Sequence, residues 1–188
     1  MFFKAEALRK RKILILTLIF ALFLFSYVFS FAEIKIFFSP NGGIAEEIIK
    51  QIDNAQEYID IAMYSFTSEP IAEAVVRAKG RGDEIRILMD KGQSQGKYSK
   101  YQFFLDNGIA IIQDRHAGIM HNKIILIDGK VLFIGSYNLS KSAEEKNQEN
   151  LLMFIDDEEI EGEIEEEIIK IYQERLDYLW EFNACCEK

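Results

Sequence analysis

Four polar side chains lie at one end of a predicted β-hairpin in HNKIILIDGKVLFIGSYNLS, residues 121–140. His121 and Lys123 are two residues apart at its start, and Ser136 and Asn138 are two apart at its end. Because side chains along a strand alternate between faces, the members of each pair point the same way. This set suits a phosphate ester: the lysine and asparagine donate to non-bridging oxygens, while the histidine attacks phosphorus or transfers a proton.

The position of the hairpin turn decides which of these residues face each other. A two-residue loop at 128–129, an Asp-Gly pair typical of tight turns, places His121 opposite Ser136. A loop at 129–130 instead places His121 opposite Asn138. Both registers bring the polar groups together at the same end of the hairpin.

The elements that must position these residues alternate between apolar strands and amphipathic helices. The predicted strands are EIKIFF, YIDIAMYSF, EIRILMD, IAIIQD, the two arms of the hairpin and LLMFID. The predicted helices are IAEEIIKQIDNA, SEPIAEAVVRAKGRG, YSKYQFFLDNG and a long C-terminal helix through IIKIYQERLDYLWEF. This order predicts the α/β class, with a layered α/β/α sandwich around a mixed, largely parallel sheet.

Residues 1–32 differ in kind from the rest of the chain. The basic cluster Arg9–Lys12 precedes residues 13–32, which hold no charge over 20 positions and are long enough to cross a bilayer. Their Ser-Phe-Ala ending also fits a signal-peptidase site. A cleaved signal peptide and an uncleaved membrane anchor both remain open, and both place a single domain over 33–188 on the periplasmic or extracellular side.

The net charge of the chain argues against polyanionic partners, but the charged residues are unevenly distributed along the sequence. The formal net charge of the 188 residues is −9, which disfavours binding to nucleic acid or anionic lipid. However, residues 156–167 hold nine acidic and no basic side chains, whereas residues 77–100 hold seven basic and three acidic ones. A locally positive surface is therefore compatible with the composition.

The two cysteines, Cys185 and Cys186, are adjacent and do not easily form a disulfide with each other, so they do not cross-link distant parts of the fold. Their role is not predicted.

The order and spacing of the hairpin residues resemble the HKD motif of the phospholipase D superfamily. The matching residues are His121, Lys123 and Asp128, followed by Gly135, Ser136 and Asn138. The likeness extends over about residues 35–180 and includes Phe38-Ser39-Pro40, MYSFTSEPI, KGRGDEIRILMD and Asn147-Gln148-Glu149-Asn150. These segments are similar to the small, single-motif bacterial endonuclease branch, and the resemblance implies the phospholipase D/nuclease fold.

The resemblance also implies catalytic roles. His121 attacks phosphorus and forms a phosphohistidine that water then cleaves. Lys123 and Asn138 occupy phosphate-binding positions. Glu149 matches the acid that holds the nucleophilic imidazole through its other nitrogen.

Three further motif positions have supporting roles in this interpretation. Ser136 corresponds to a position that hydrogen-bonds near the phosphate. Asp128 is also the turn residue of the hairpin, so we interpret it as mainly structural. Gly135 is also interpreted as a structural position of the motif.

A single motif implies a second copy of the chain. Protonation of the leaving oxygen needs a general acid, and the family supplies it from a second HKD motif that this sequence lacks. We therefore expect a homodimer in which two His121 side chains share one cleft. No metal or cofactor is expected, because the spacing of Asp114, His116 and His121 fits no common zinc pattern and the family's chemistry needs none.

The leading functional hypothesis is a metal-independent phosphodiesterase that cleaves DNA or RNA. A phospholipase D acting on phospholipid head groups is the alternative, and residues 13–32 would hold it at a membrane if they are not removed. A non-catalytic scaffold that binds polyanions is the third possibility.

Overall fold

A seven-stranded mixed β-sheet forms the centre of the protein. The computed structural model describes residues 10–18, 33–156 and 163–184. The strands are β1 (Glu33–Phe38), β2 (Tyr58–Met63), β3 (Glu84–Met89), β4 (Ala110–Gln113), β5 (Lys123–Ile127), β6 (Val131–Gly135) and β7 (Asn150–Ile155). Their order in the sheet is β1-β7-β6-β5-β2-β3-β4.

Helices cover both faces of this sheet. They are α1 (Ile44–Asn54), α2 (Glu69–Arg81), α3 (Lys91–Ser94), α4 (Tyr101–Asp106), α5 (Lys141–Glu145) and α6 (Glu163–Ala184). Side chains of α1, α2, α4 and α5 share one core with Ile125 and Phe133 of the sheet. On the other face, Leu176 of α6 packs in a second core with Leu126. The predicted α/β/α sandwich is therefore confirmed.

Two short helices were not predicted from the sequence. The first, α3, begins after Asp90, whose carboxylate accepts the Gln93 backbone N–H at 2.9 Å. The second, α5, begins after Ser140, whose hydroxyl accepts the Ala143 N–H at 3.2 Å. Each is about one helical turn and has too few residues for an apolar period to show in the sequence.

The expectation that the sheet is largely parallel is wrong in detail. Only β2–β3 and β3–β4 pair in parallel, while β1–β7, β7–β6, β6–β5 and β5–β2 pair antiparallel. Five strands do run in one direction, as alternating strands and helices imply. The two reversed strands, β5 and β7, lie between strands of that direction, and each therefore creates two antiparallel pairs.

Both predicted hairpin registers are also wrong, because the connection has three residues. Ile127 pairs with Val131, which leaves 128–130 as the loop. Asp128 and Gly129 have φ values of 55° and 66°, as in the tight turn that the Asp-Gly pair predicts, and the Lys130 N–H bonds to the Ile127 carbonyl at 2.9 Å. Lys130 is thus one extra residue, which sets the register midway between the two predicted ones.

Asp128 ties this turn to the start of β2. Its carboxylate accepts the backbone N–H groups of Gln56, Glu57 and Tyr58, each at 2.9 Å. The turn lies at the opposite end of β5 from Lys123, about 15 Å away for a strand of this length. In this structure Asp128 therefore holds the hairpin in place and does not reach the other motif residues.

An ion-pair cluster fixes α6 to the sheet. Asp60 of β2 is buried and accepts two hydrogen bonds from the Arg86 guanidinium of β3, which also donates to Asp177 of α6 at 2.7 Å. The hydrogen bond to Asp60 is the main cause that raises the pKa of Arg86. Trp180 lies against the same guanidinium, with 5.7 Å between the ring centroid and the Arg86 Cζ. These contacts set the position of α6 beside the strand ends described below.

The chain divides into two compact units, residues 1–31 and 32–188. Residues 10–18 are helical, and no helix in the described part of the chain is both long and apolar enough to cross a membrane. Most of the predicted signal or anchor, at 1–9 and 19–32, lies outside the described residues, as do Cys185 and Cys186. The assignments for these residues stay predictions.

Gly135 provides a test of the β6–β7 pairing. A Cβ at this position would lie 2.2 Å from the Asn150 carbonyl oxygen. We expect Gly135→Ala to lower the free energy of unfolding by about 1–3 kcal/mol, because the two strands must separate. Gly80→Ala is the matched control: no atom lies within 4 Å of its added Cβ, so it should be neutral or stabilising by up to ~1 kcal/mol. Urea unfolding followed by circular dichroism measures both, and equal stabilities of the two variants would contradict the assignment.

Candidate functional site

The polar motif residues meet at one edge of the sheet because of the strand directions. β2 and β6 end at this edge, whereas the reversed strands β5 and β7 begin there. Tyr64 directly follows β2, Ser136 follows β6, Glu149 precedes β7 and His121 lies just before β5. Each side chain is therefore held by the end of a different strand.

His121 is exposed at this edge and packs on one aromatic ring. Its imidazole lies against Tyr64, with 4.6 Å between ring centroids and an angle of 54° between the planes. The ring is not enclosed by apolar side chains, so it is accessible to a substrate from solvent.

Lys123 lies beside His121 but is buried, with 6% of its surface exposed. Its ammonium donates to the His121 carbonyl oxygen at 2.7 Å and lies 5.0 Å from the centroid of the Tyr64 ring, within cation–π range. Burial lowers the pKa of Lys123, and the charge of Glu149 partly opposes this shift. The site thus holds a desolvated positive charge next to the exposed imidazole.

Glu149 makes its hydrogen bonds to two polar neighbours. The Ser136 hydroxyl donates to one of its oxygens at 2.6 Å, and the Asn147 amide donates to the other at 3.0 Å. The Ser136 oxygen in turn accepts the Asn150 backbone N–H at 3.1 Å. A hydrogen bond from the His121 imidazole to the Glu149 carboxylate is not among those made by the described residues, so the orienting role of Glu149 stays a prediction.

Asn138, two residues after Ser136, carries an unusual polar atom. Its side-chain Oδ1 is buried and has no hydrogen-bond partner among the residues that the structure describes. A buried polar atom without a partner is costly, by about 1–3 kcal/mol, and marks a position where a binding partner would be gained.

Ser39 extends this polar network to the end of β1. Its hydroxyl donates to the Asn147 carbonyl at 3.0 Å and accepts the Glu149 N–H at 3.2 Å. The Ser39 N–H also donates to the Glu149 carbonyl at 3.1 Å. The backbone on both sides of Glu149 is therefore held by a residue 110 positions away in the sequence.

Sequence reasoning did not assign roles to Tyr64, Gln93, Ser39 or Asn147. Gln93 donates to the Tyr64 hydroxyl at 3.2 Å and so holds the ring on which His121 lies. Tyr64, Ser39 and Asn147 stand in segments that were already noted as similar to the family. Their position at strand ends was the available signal, and only the sheet order shows that these ends meet.

The residues considered as metal ligands do not form a cluster. Within residues 10–18, 33–156 and 163–184, no group of three His, Cys, Asp or Glu side chains is arranged to hold a metal ion. Asp114 is buried and bound to the Asn183 amide at 3.3 Å, while the His116 Nδ1 accepts the Gly118 N–H at 3.0 Å.

Comparison with known proteins identifies relatives over most of the chain. Residues 48–180 match the family model described as a cardiolipin synthase, PLD-like domain. The phospholipase D of Rickettsia conorii is 34% identical over 127 residues, which cover 68% of this chain and 64% of that protein. The mitochondrial cardiolipin hydrolase of Chlamydomonas reinhardtii is 30% identical over 130 residues, which cover 69% of this chain and 54% of that protein. The chain thus spans about three fifths of the length of the first curated relatives that it matches.

Two solved structures share the fold over nearly their whole length. Nuc from Salmonella typhimurium, a phospholipase D family member, aligns with a TM-score of 0.71 and 28% identity, covering 80% of this chain and 95% of that chain. NucT from Helicobacter pylori aligns with a TM-score of 0.65 and 27% identity, covering 79% and 97%. With the family model matched over residues 48–180 and with His121, Lys123 and Ser136 gathered at one end of the strands, the chain belongs to the phospholipase D superfamily.

Proposed function

We propose that this protein is a phosphodiesterase that hydrolyses nucleic acid through a phosphohistidine on His121, without a metal ion. The observation that carries the proposal is that the exposed imidazole of His121 and the buried ammonium of Lys123 both lie against the Tyr64 ring at the same strand end. A nucleophile that is open to solvent and a desolvated cation at the same strand end are what attack on a phosphodiester requires.

Lys123 binds and neutralises the phosphate in this mechanism. Of the three N–H groups of its ammonium, one is donated to the His121 carbonyl, which leaves two for non-bridging oxygens. Because the ammonium is buried, its interaction with a developing negative charge is stronger than it would be in water. The Asn138 amide N–H group is the second phosphate ligand, while its Oδ1, which has no partner among the described residues, can accept a hydrogen bond from a protonated oxygen such as that of the attacking water or the leaving alcohol.

Glu149 and Ser136 support the nucleophile in the proposal. A carboxylate has about four acceptor positions, and the Ser136 and Asn147 donors occupy two of them in Glu149. A remaining position can accept the imidazole N–H when His121 turns toward phosphorus, which directs the other ring nitrogen at the substrate.

A homodimer completes the chemistry in this proposal. The leaving oxygen needs a proton from a general acid, and each copy of the chain supplies one HKD histidine. The imidazole of a second copy, facing the first across a shared cleft, provides that acid.

The choice of nucleic acid as substrate rests on the resemblance to the single-motif endonuclease branch and on the alignment with nearly the whole of Nuc and NucT. Phospholipid is the alternative substrate, because relatives are named phospholipase D and cardiolipin hydrolase. The proposed location outside the cytoplasm, with residues 13–32 as signal or anchor, rests on the sequence alone.

His121→Ala tests the nucleophile. We expect the full-length variant to lose hydrolysis of single-stranded DNA and of bis(p-nitrophenyl) phosphate in EDTA by about a thousandfold or more, since attack and proton transfer both disappear. Wild-type protein denatured under alkaline conditions, in which the N–P bond survives, should carry on His121 a phosphoryl group that retains one ester: nucleotidyl from DNA or p-nitrophenyl from the small substrate, by mass spectrometry. The thermal midpoint should hardly change, because the ring is exposed. Wild-type rates in the variant would refute the assignment.

Phosphatidylcholine vesicles, assayed in parallel with the wild-type protein, test the substrate class. Cleavage of lipid but not of DNA would favour phospholipid as the substrate.

The pH profile tests Lys123. Burial lowers its pKa below the usual 10.5 of lysine, so the ammonium loses its proton, and its hold on phosphate, at a lower pH than an exposed lysine would. Activity should therefore fall as the pH rises through this lowered pKa. In Lys123→Arg the guanidinium stays charged, and the residual activity should show no such decline. An alkaline limb that is identical in both proteins would mean that another group titrates.

Mixed dimers test the shared cleft. When an equal amount of His121→Ala protein is exchanged with wild type, about half of the wild-type subunits pair with an inactive copy. Activity per wild-type subunit should then fall to about half, because each mixed site lacks one histidine. If every copy acts alone, activity per wild-type subunit will stay constant at every mixing ratio.

A further inference from the structure

A second, larger cleft adjoins His121 on the α6 side. It has a volume of about 540 Å³ and lies between residues 114–122 and the C-terminal half of α6. His121 and Asn122 line this cleft and also a smaller cleft of about 320 Å³, which Lys123 lines as well. The two clefts therefore share the imidazole of the proposed nucleophile.

One wall of the larger cleft is aromatic and carries a positive charge. The rings of Tyr178 and Phe182 are stacked, with 6.2 Å between centroids and 21° between planes. The guanidinium of Arg175 lies 5.2 Å from the centroid of the Tyr178 ring. These three residues follow the helical spacing i, i+3 and i+7 and so form a single stripe along α6. We call Arg175, Tyr178 and Phe182 the aromatic stripe.

The aromatic stripe is not what holds α6 to the protein. The helix is anchored by Leu176 and Leu179, which are buried in the core, and by Asp177 and Asn183, which bond to Arg86 and Asp114. By contrast, Tyr178 and Phe182 are 55% and 49% exposed. Two large aromatic rings left open beside a guanidinium are typical of a binding surface.

We propose that this cleft holds the unpaired bases next to the phosphodiester that His121 attacks, so that the substrate is single-stranded nucleic acid. This inference rests on the proposed function. Every base has a flat π-face, and stacking on exposed aromatic rings is the common way in which proteins bind single strands. Arg175 stays over the Tyr178 ring while its N–H groups reach a backbone phosphate. Such contacts do not read base identity and imply little sequence preference.

The polar groups of the cleft favour nucleic acid over a lipid acyl chain. Besides the Arg175 guanidinium, the opposite wall carries the exposed His116 with its imidazole. An acyl chain would remove these groups from water without giving them hydrogen bonds, which is costly. A nucleotide strand presents phosphates and base edges that can pair with them.

Abasic substrates test the stacking directly. We expect the full-length wild-type protein to bind and cleave a single-stranded oligonucleotide about ten times better than the same oligonucleotide with abasic sites beside the scissile phosphate. The double variant Tyr178→Ala/Phe182→Ala should lose about the same factor on the normal oligonucleotide and nothing further on the abasic one. Such non-additivity is the signature of a direct contact between the bases and the rings.

Ile171→Ala is the matched control on the same helix. Ile171 is 55% exposed and lies one turn before Arg175, outside the cleft, so this variant should bind and cleave both oligonucleotides as the wild type does. Fluorescence anisotropy gives the dissociation constants, and kcat/KM for the oligonucleotide relative to bis(p-nitrophenyl) phosphate gives the effect on cleavage.

Each remaining outcome overturns the inference in a distinct way. Equal affinity of wild type and double variant for the normal oligonucleotide excludes stacking on these rings. If the double variant loses binding to phosphatidylcholine and cardiolipin vesicles but still binds the oligonucleotide as the wild type does, the cleft is assigned to lipid. A double variant that sediments as a monomer assigns the cleft to contact between copies. If wild-type protein does not hydrolyse bis(p-nitrophenyl) phosphate, the proposed function itself fails, whatever the binding results.

Discussion

The buried ammonium of Lys123 is the constraint on which the arrangement of the site depends. Removing a positive charge from water is costly unless nearby groups stabilise it. Here the His121 carbonyl, the face of the Tyr64 ring and the charge of Glu149 do so. These groups come from the start of β5, the end of β2 and the residue before β7, so the charge is tolerated only where these strand ends meet. The sheet order β7-β6-β5-β2 creates that meeting point.

The surroundings of the site are held in place by identifiable contacts. Gly135 lets β6 approach the Asn150 carbonyl more closely than any side chain would allow, and this approach brings the Ser136 hydroxyl to Glu149. Ser39 holds the backbone of Glu149 from the end of β1. On the other face, the cluster of Asp60 with Arg86 fixes α6 through Asp177, and with it the wall of the larger cleft. Catalytic groups and cleft wall are thus held by separate sets of contacts on a common sheet.

The elements of the fold were predictable because their signals are local. Strand β5 illustrates this: all five of its residues are buried, Ile125 and Ile127 in one core and Ile124 and Leu126 in the other. Such continuous apolar runs are typical of strands covered on both faces. The hairpin register was not predictable, because the extra residue Lys130 leaves no mark in a sequence whose Asp-Gly pair already suggests a complete turn. The share of parallel pairs was overestimated because the pattern of elements does not reveal which strands become neighbours.

The sequence by itself determined the residue types that can act on a phosphodiester, the strands and long helices that carry them, and the family to which they belong. The residue types and elements follow from spacing and periodicity between residues that are close in the chain, whereas the family follows from the resemblance of motifs spread over about residues 35–180. The tertiary structure alone decided that Tyr64 supports both His121 and Lys123, that Ser39 reaches Glu149, and that an aromatic wall stands beside the imidazole. Those contacts join residues between about 57 and 110 positions apart. They depend on the order in which strands assemble, which is set by the packing of the whole core rather than by any local pattern.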